Sequence, residues 1–205
     1  MCIRDSIAQI LGSLSDYSGR VRLRQNLAPT DNFVAVAEFR GWEAYDVVFV
    51  HTHGGEICWD QRTGLDYHEC KASISAQIST NPVVDAIEDD NVGVELIKYE
   101  NQSMLAVTSD FFRHEYPDGL NNKLIYFLTC SGWNPQFAEA LAGSTGVYAS
   151  WTGSIRSSYG HWAAVEMFSL LAAGLDTLEV VELMGSDLKQ SEGVQLHATE
   201  RRLRI

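Results

Sequence analysis

The residues best suited to chemistry are a histidine and a cysteine, each placed where an apolar run gives way to glycine. Tyr45-Asp46-Val47-Val48-Phe49-Val50 leads into His51-Thr52-His53-Gly54-Gly55, and Lys123-Leu124-Ile125-Tyr126-Phe127-Leu128 leads into Thr129-Cys130-Ser131-Gly132. A thiolate is a strong nucleophile and an imidazole moves protons near neutral pH, so such a pair suits acyl transfer through a covalent intermediate. Cys130 precedes a helix expected to open at Asn134, which puts its thiol near that helix's positive end and favours the thiolate. A strand cysteine is often an inert core residue. Against that, Ser131-Gly132 marks a turn where the chain leaves the sheet. After His53, the Gly54-Gly55 pair lets the backbone turn sharply and bring an N–H close to a substrate carbonyl. The amides of Gly54 and Cys130 would then form an oxyanion hole, and His53 would protonate the leaving group.

Other chemistries fit less well. His51-x-His53 would offer two metal ligands on one strand face, but a third would have to come from His68, Glu69 or Cys70 without supporting spacing. No metal and no cofactor are therefore expected. A phosphatase loop needs Arg six positions after its Cys, and position 136 is Gln. There is no G-x-S-x-G, no G-x-G-x-x-G and no Walker loop.

The elements that must position the pair follow from the apolar runs. A third run, Gly146-Val147-Tyr148-Ala149-Ser150, leads into Trp151-Thr152-Gly153. Continuous rather than alternating apolar runs suit strands covered on both faces in a parallel sheet, and in such sheets the functional crevice lies beyond the carboxyl ends of the strands. A helical stretch is expected from Thr30-Asp31 to just before Gly41. Asn134 with Pro135 reads as an N-cap and first helical residue, with Gly143 closing that helix. Tyr159 to Ala173 reads as a helix with Trp162, Val165, Phe168 and Leu171 at helical spacing and Gly174 beyond its end. These aromatics are expected in the core rather than against a cofactor. Asp176 with Glu179 forms a D-x-x-E capping box for a helix ending near Gly185. The stretch from about 56 to 108 is less regular: Val92 to Val107 reads as a hairpin turning at Asn101-Gln102-Ser103, and Ser79 to Asn91 as an exposed loop. Strand and helix alternation implies an α/β fold, a three-layer α/β/α sandwich with a mostly parallel central sheet.

Composition narrows the function classes. The 205 residues are 45% hydrophobic and 20% charged, consistent with one globular domain. No apolar run approaches the roughly 20 residues of a membrane span, so no membrane partner is expected. The net charge of −12 disfavours nucleic acid, and the short basic end at Arg201, Arg202 and Arg204 does little to offset it. Four cysteines, at 2, 58, 70 and 130, make no CxxC pair. A Cys58–Cys70 bridge is open to the chain, but free thiols in a reducing compartment such as the cytoplasm are the expectation. The opening MCIRDS reads as a translated sequencing-adapter scar, so the domain is taken as residues 7–205 with its natural N-terminus missing.

In its ordered motifs the sequence resembles the caspase-like cysteine peptidases of clan CD. Their signature is a hydrophobic strand ending in His-Gly followed by a second ending in the nucleophilic Cys, here YDVVFVHTHGG and KLIYFLTCSGW. The downstream GVYASWTGSI, HWAAVEMFSLLAAGL and DTLEVVELM resemble the strand–helix–helix tail of CHAT and gingipain-type domains, and the hairpin with SDFFRH before the cysteine strand has a counterpart there too. The likeness covers roughly residues 30 to 185. It implies the caspase-hemoglobinase-like sandwich and a cysteine endopeptidase acting on a peptide or protein substrate. His53 would be the general acid/base, Cys130 the nucleophile and Gly54 an oxyanion contributor. Ser150 and Trp151 would line the pocket for the side chain before the scissile bond. A catalytically silent module acting as a scaffold is the alternative. Two departures stand out. His53 and Cys130 are 77 positions apart (130 − 53), which implies a substantial insertion between their strands. The next Asp after Cys130 is Asp176, so negative charge near the site would come from Glu56 or Asp60 instead.

Overall fold

The computed structural model describes residues 3–14, 36–59, 66–78, 92–99, 102–188 and 194–205. Its strands fall into two sheets. The first has the order β1 (Val47–His51), β6 (Leu124–Leu128), β7 (Val147–Trp151) and β8 (Leu196–Ala198). β1, β6 and β7 run parallel, and β8 is antiparallel to β7. The apolar runs are thus the parallel strands expected. Every residue of β6 and β7 is buried, whereas β1, at the sheet's edge, is only partly so.

Side-chain alternation along these strands feeds two cores. On one face Leu124, Tyr126, Leu128, Val147, Ala149 and Trp151 pack against the helices α1 (Ile3–Ser13), α4 (Ser157–Ala172) and α5 (Thr177–Leu188). On the other, Val48, Ile125, Phe127 and Tyr148 meet Phe111 and Phe112 of α2 (Ser109–Glu115) and Phe137 and Leu141 of α3 (Pro135–Ala142). Tyr116 ties this second core to the chain before β1: its hydroxyl donates to the Phe39 carbonyl at 2.6 Å and accepts from the Trp42 amide at 3.1 Å.

The second sheet fills the insertion between β1 and β6. It is wholly antiparallel, in the order β2 (Gly54–Trp59), β3 (Asp66–Ile78), β5 (Gln102–Thr108), β4 (Val94–Tyr99), and it contributes Ile74, Leu105 and Val107 to the second core. The expectation of an irregular stretch there is corrected. β2 and β3 escaped notice because GGEICW and DYHECKASISAQI mix polar residues with apolar ones and carry no long apolar run. The hairpin of β4 and β5 is present, but Tyr99 pairs with Gln102, so it turns one residue earlier than expected. The Ser79–Asn91 loop lies outside the described residues.

The helix caps are as read. The Asn134 side chain accepts from the Gln136 amide at 2.8 Å with Pro135 opening α3. Asp176 accepts from the Leu178 and Glu179 amides at 3.1 and 3.0 Å while Glu179 returns a bond to the Asp176 amide at 2.8 Å. That box starts α5, which runs on past Gly185. Two expectations need correction. Residues 36–39 and 42–44 form short 3₁₀ turns rather than the end of a longer helix, and 31–35 lie outside the described residues. Trp162 is 52% exposed, because the buried stripe of α4 runs through Gly160, Ala163, Ala164, Met167, Phe168 and Leu171 and leaves position 162 on its outer side. Helix α1 begins at Ile3 and inserts Ile7 and Leu11 into the core.

Candidate active site

The parallel register brings the ends of β1 and β6 together. β1 and β6 align with a constant offset from Val47 opposite Leu124 to His51 opposite Leu128. His51 and Leu128 are 77 positions apart, the same separation as His53 and Cys130. Continued two residues past the last paired position, that offset would set His53 opposite Cys130, but both lie beyond their strands, His53 in the link to β2 and Cys130 in the turn after β6. Within the strands, alternation points Val47, Phe49, Leu124, Tyr126 and Leu128 to the α4 face. β1 ends at His51, so His53 sits in the short link to β2 rather than on the strand itself.

Close backbone packing joins the two loops. A Cβ on Gly54 would lie 2.7 Å from the Cys130 carbonyl oxygen, 2.7 Å from Thr129 Oγ1 and 2.9 Å from Thr129 Cβ. Only glycine lets the His loop approach the Cys loop this closely. On the other side of Thr129, a Cβ at Gly132 would clash with both Thr129 Oγ1 and Ser150 Oγ. The Thr129 hydroxyl is buried between these glycines and has no hydrogen-bond partner among the described residues. We expect Gly54→Ala to lose about 1–3 kcal/mol of stability by overpacking against the Cys130 carbonyl oxygen and the buried Thr129 side chain. Gly55→Ala, with nothing within 4 Å of the added carbon, should change stability far less. Urea unfolding of the two variants side by side checks this; equal midpoints would contradict the packing.

The turn after Cys130 is built for exposure of the thiol. Ser131 adopts a left-handed conformation with φ of 49°, rare for a non-glycine residue, and reverses the chain out of β6. The Ser131 amide donates to the Gly153 carbonyl at 3.0 Å and the Trp133 amide to the Trp151 carbonyl at 2.8 Å, which fastens the turn to the end of β7. Cys130 stays half-buried and is a free thiol, its Sγ 4.0 Å from the Ile155 carbonyl oxygen; His53 is exposed. All three strand ends therefore meet, as the coincidence of their motifs implied.

Ser150 and Trp151 are at the meeting point, but their side chains face inward. Ser150 Oγ donates to the Phe127 carbonyl at 2.8 Å and Trp151 Nε1 to the Tyr126 hydroxyl at 3.0 Å, and both residues are fully buried. What borders the thiol is the segment after them, through the Ile155 carbonyl. Nothing in the sequence marked Ile155. Glu56, two residues after Gly54 on the same face of β2, is exposed and within 3.5 Å of Asn134 Nδ2, so its carboxylate does lie beside the Cys loop. Asp60 is outside the described residues.

His51 has a different neighbour. Its ring meets the edge of His161 on α4, with centroids 4.7 Å apart and planes at 86°. Partial burial, then the nearby His161 and His53, hold His51 below its ordinary 6.5; burial alone does the same to His161, whose Nε2 is enclosed without a partner among the described residues. A histidine whose folded value is lowered contributes full stability above its unfolded value and loses it as the pH falls below about 6.5, where the unfolded chain takes up the proton first. Melting temperatures recorded from pH 7.5 to 5 should fall, and His161→Phe, which keeps a ring against His51, should flatten that slope.

The cysteines correct another expectation. Cys58 and Cys70 form a disulfide rather than two free thiols, with their Cα atoms 4.2 Å apart. The antiparallel pairing of Ile57 with Lys71 brings them side by side across β2 and β3, a hairpin that the sequence did not reveal. Cys70 is thereby removed from the candidate ligands of His51 and His53, and no cluster of three metal-ligating side chains occurs among the described residues. No family model matches the chain, and no match was found among the curated proteins or the solved structures.

Proposed function

We propose that the chain is a cysteine endopeptidase in which Cys130 is the nucleophile and His53 the general acid/base, carried on a caspase-hemoglobinase-like three-layer sandwich. What supports it is the close approach of the His loop to the Cys loop at the adjoining ends of β1 and β6, where Gly54 packs on Thr129 and Cys130. The Cys130 thiolate attacks the peptide carbonyl carbon, forming a C–S bond while the carbonyl oxygen takes up the charge. The amides of Gly54 and Cys130 hold that oxyanion. As the C–N bond breaks, His53 protonates the departing amine, and water activated by the same imidazole then hydrolyses the thioester. The inward-facing side chains of Ser150 and Trp151 shift the proposed pocket for the residue before the scissile bond to their backbone and to residues 152–156. Cleavage profiling against a diverse peptide library tests the activity and reads the preference at once. A folded protein that cleaves nothing would favour the silent-module alternative.

A further inference from the structure

Gln136 occupies an unusual place between the two sheets. It stands on the first turn of α3, six residues after Cys130, and its side-chain amide reads the backbone of β3 as a neighbouring strand would. Its Nε2 donates to the Cys70 carbonyl at 3.2 Å, and its Oε1 accepts from the Ala72 amide at 3.0 Å and from Ser109 Oγ at 3.3 Å. β3 pairs with β5 only from Ser73 onward, so at residues 70–72 Gln136 completes that edge. Cys70, whose carbonyl it holds, is also the residue bonded to Cys58.

These contacts close a ring around the site. From Gly54, packed on Thr129 and Cys130, β2 leads to Cys58; the disulfide crosses to Cys70; Gln136 returns from Cys70 to α3, and the Ser131 turn leads back to Cys130. A shorter rung inside the ring joins Glu56 to Asn134 at 3.5 Å. The His loop and the Cys loop are thus held in register at both ends, by β1 against β6 below and by this strap beside them. We propose that Gln136 is a positioning residue for the His53–Cys130 pair, and that the Cys58–Cys70 bond sets the strap's tension, so that a dithiol reductant loosens the site. The reduction balances simply: the S–S bond breaks, each sulfur takes one electron and one proton, and the reductant's two thiols become its disulfide. This rests on the dyad assigned above, and reducing conditions that keep Cys130 free would then oppose those that keep the strap closed.

Misplacement of reacting groups by an ångström lowers turnover by about 10²-fold. In the full chain, Gln136→Leu and the double variant Cys58→Ser/Cys70→Ser are expected to lower kcat roughly 10- to 100-fold with KM changed little. The rate of Cys130 alkylation by iodoacetamide, scored by peptide mapping, should fall alongside. The same alkylation measured on the wild-type chain before and after dithiothreitol, with the reductant removed, covers a variant that fails to fold. Unchanged alkylation and kcat in folded variants and in the reduced wild type would overturn the strap. If no peptide is cleaved by the wild type, the peptidase reading fails by itself, while the alkylation comparison still decides the strap.

Discussion

Cys130→Ala should remove turnover almost completely, by on the order of 10⁴-fold or more, while leaving the fold intact. The covalent route ends with the sulfur: an alanine offers nothing to bond the acyl carbon, and the oxyanion contacts alone recover only a small part of the acceleration. The stability effect should be small because the thiol is half-buried and its approach to the Ile155 carbonyl is long, at 4.0 Å. A change within about 1 kcal/mol is expected. Steady-state kinetics with a cleavable peptide and a thermal melt on the same preparation separate the two effects. A variant that had lost activity through unfolding would reveal itself in the melt.

His53→Ala should lower kcat by about 10²- to 10⁴-fold and leave Cys130 chemically modifiable. The imidazole's part is to carry protons, first to the departing amine and then from the attacking water, so its loss slows each chemical step without removing the nucleophile. His53 is exposed, so the fold should tolerate the change. The neighbouring His51 makes a useful control. It lies two residues earlier, at the end of β1, with its ring held against His161. His51→Ala should therefore weaken turnover far less than His53→Ala. A reversed order would exchange the roles of the two histidines.

The parts of the fold that were legible in the sequence are those where a single physical constraint dominates. A strand buried on both faces must be apolar throughout, and β6 and β7, with every residue buried, announced themselves as LIYFL and VYASW. Caps were equally plain, since Asn134-Pro135 and Asp176-x-x-Glu179 satisfy backbone groups that would otherwise be orphaned. β2 and β3 were not legible, because their residues answer to neighbours that are distant in the chain. Polar residues within them serve partners elsewhere: Glu56 meets Asn134, and the backbone of Cys70 and Ala72 meets Gln136. The disulfide was hidden for the same reason, as only the β2–β3 register makes Cys58 and Cys70 neighbours.

At the candidate site, residue types and spacing nominated the pair but not its surroundings. His53, Gly54 and Cys130 were marked by the glycines and turns that any close approach of two loops requires, and the packing of Gly54 on Cys130 explains why glycine stands there. Ser150 and Trp151 were placed at the correct strand end with their side chains assigned outward, whereas strand alternation sends Trp151 into the α4 core and Ser150 onto the Phe127 carbonyl. Gln136 drew notice only as the residue where a phosphatase would need Arg. Its amide is an ordinary feature of a helix's first turn, and only the third dimension shows that it ties α3 to β3.

The central claim is that Cys130 is a nucleophile served by His53, and covalent labelling with a cysteine-directed peptide probe tests it most directly. Intact mass and peptide mapping should find one probe per chain, on Cys130, at a rate that falls in His53→Ala and vanishes in Cys130→Ala. A folded wild-type protein that takes up no probe at Cys130, or takes it up equally fast without His53, would contradict the account.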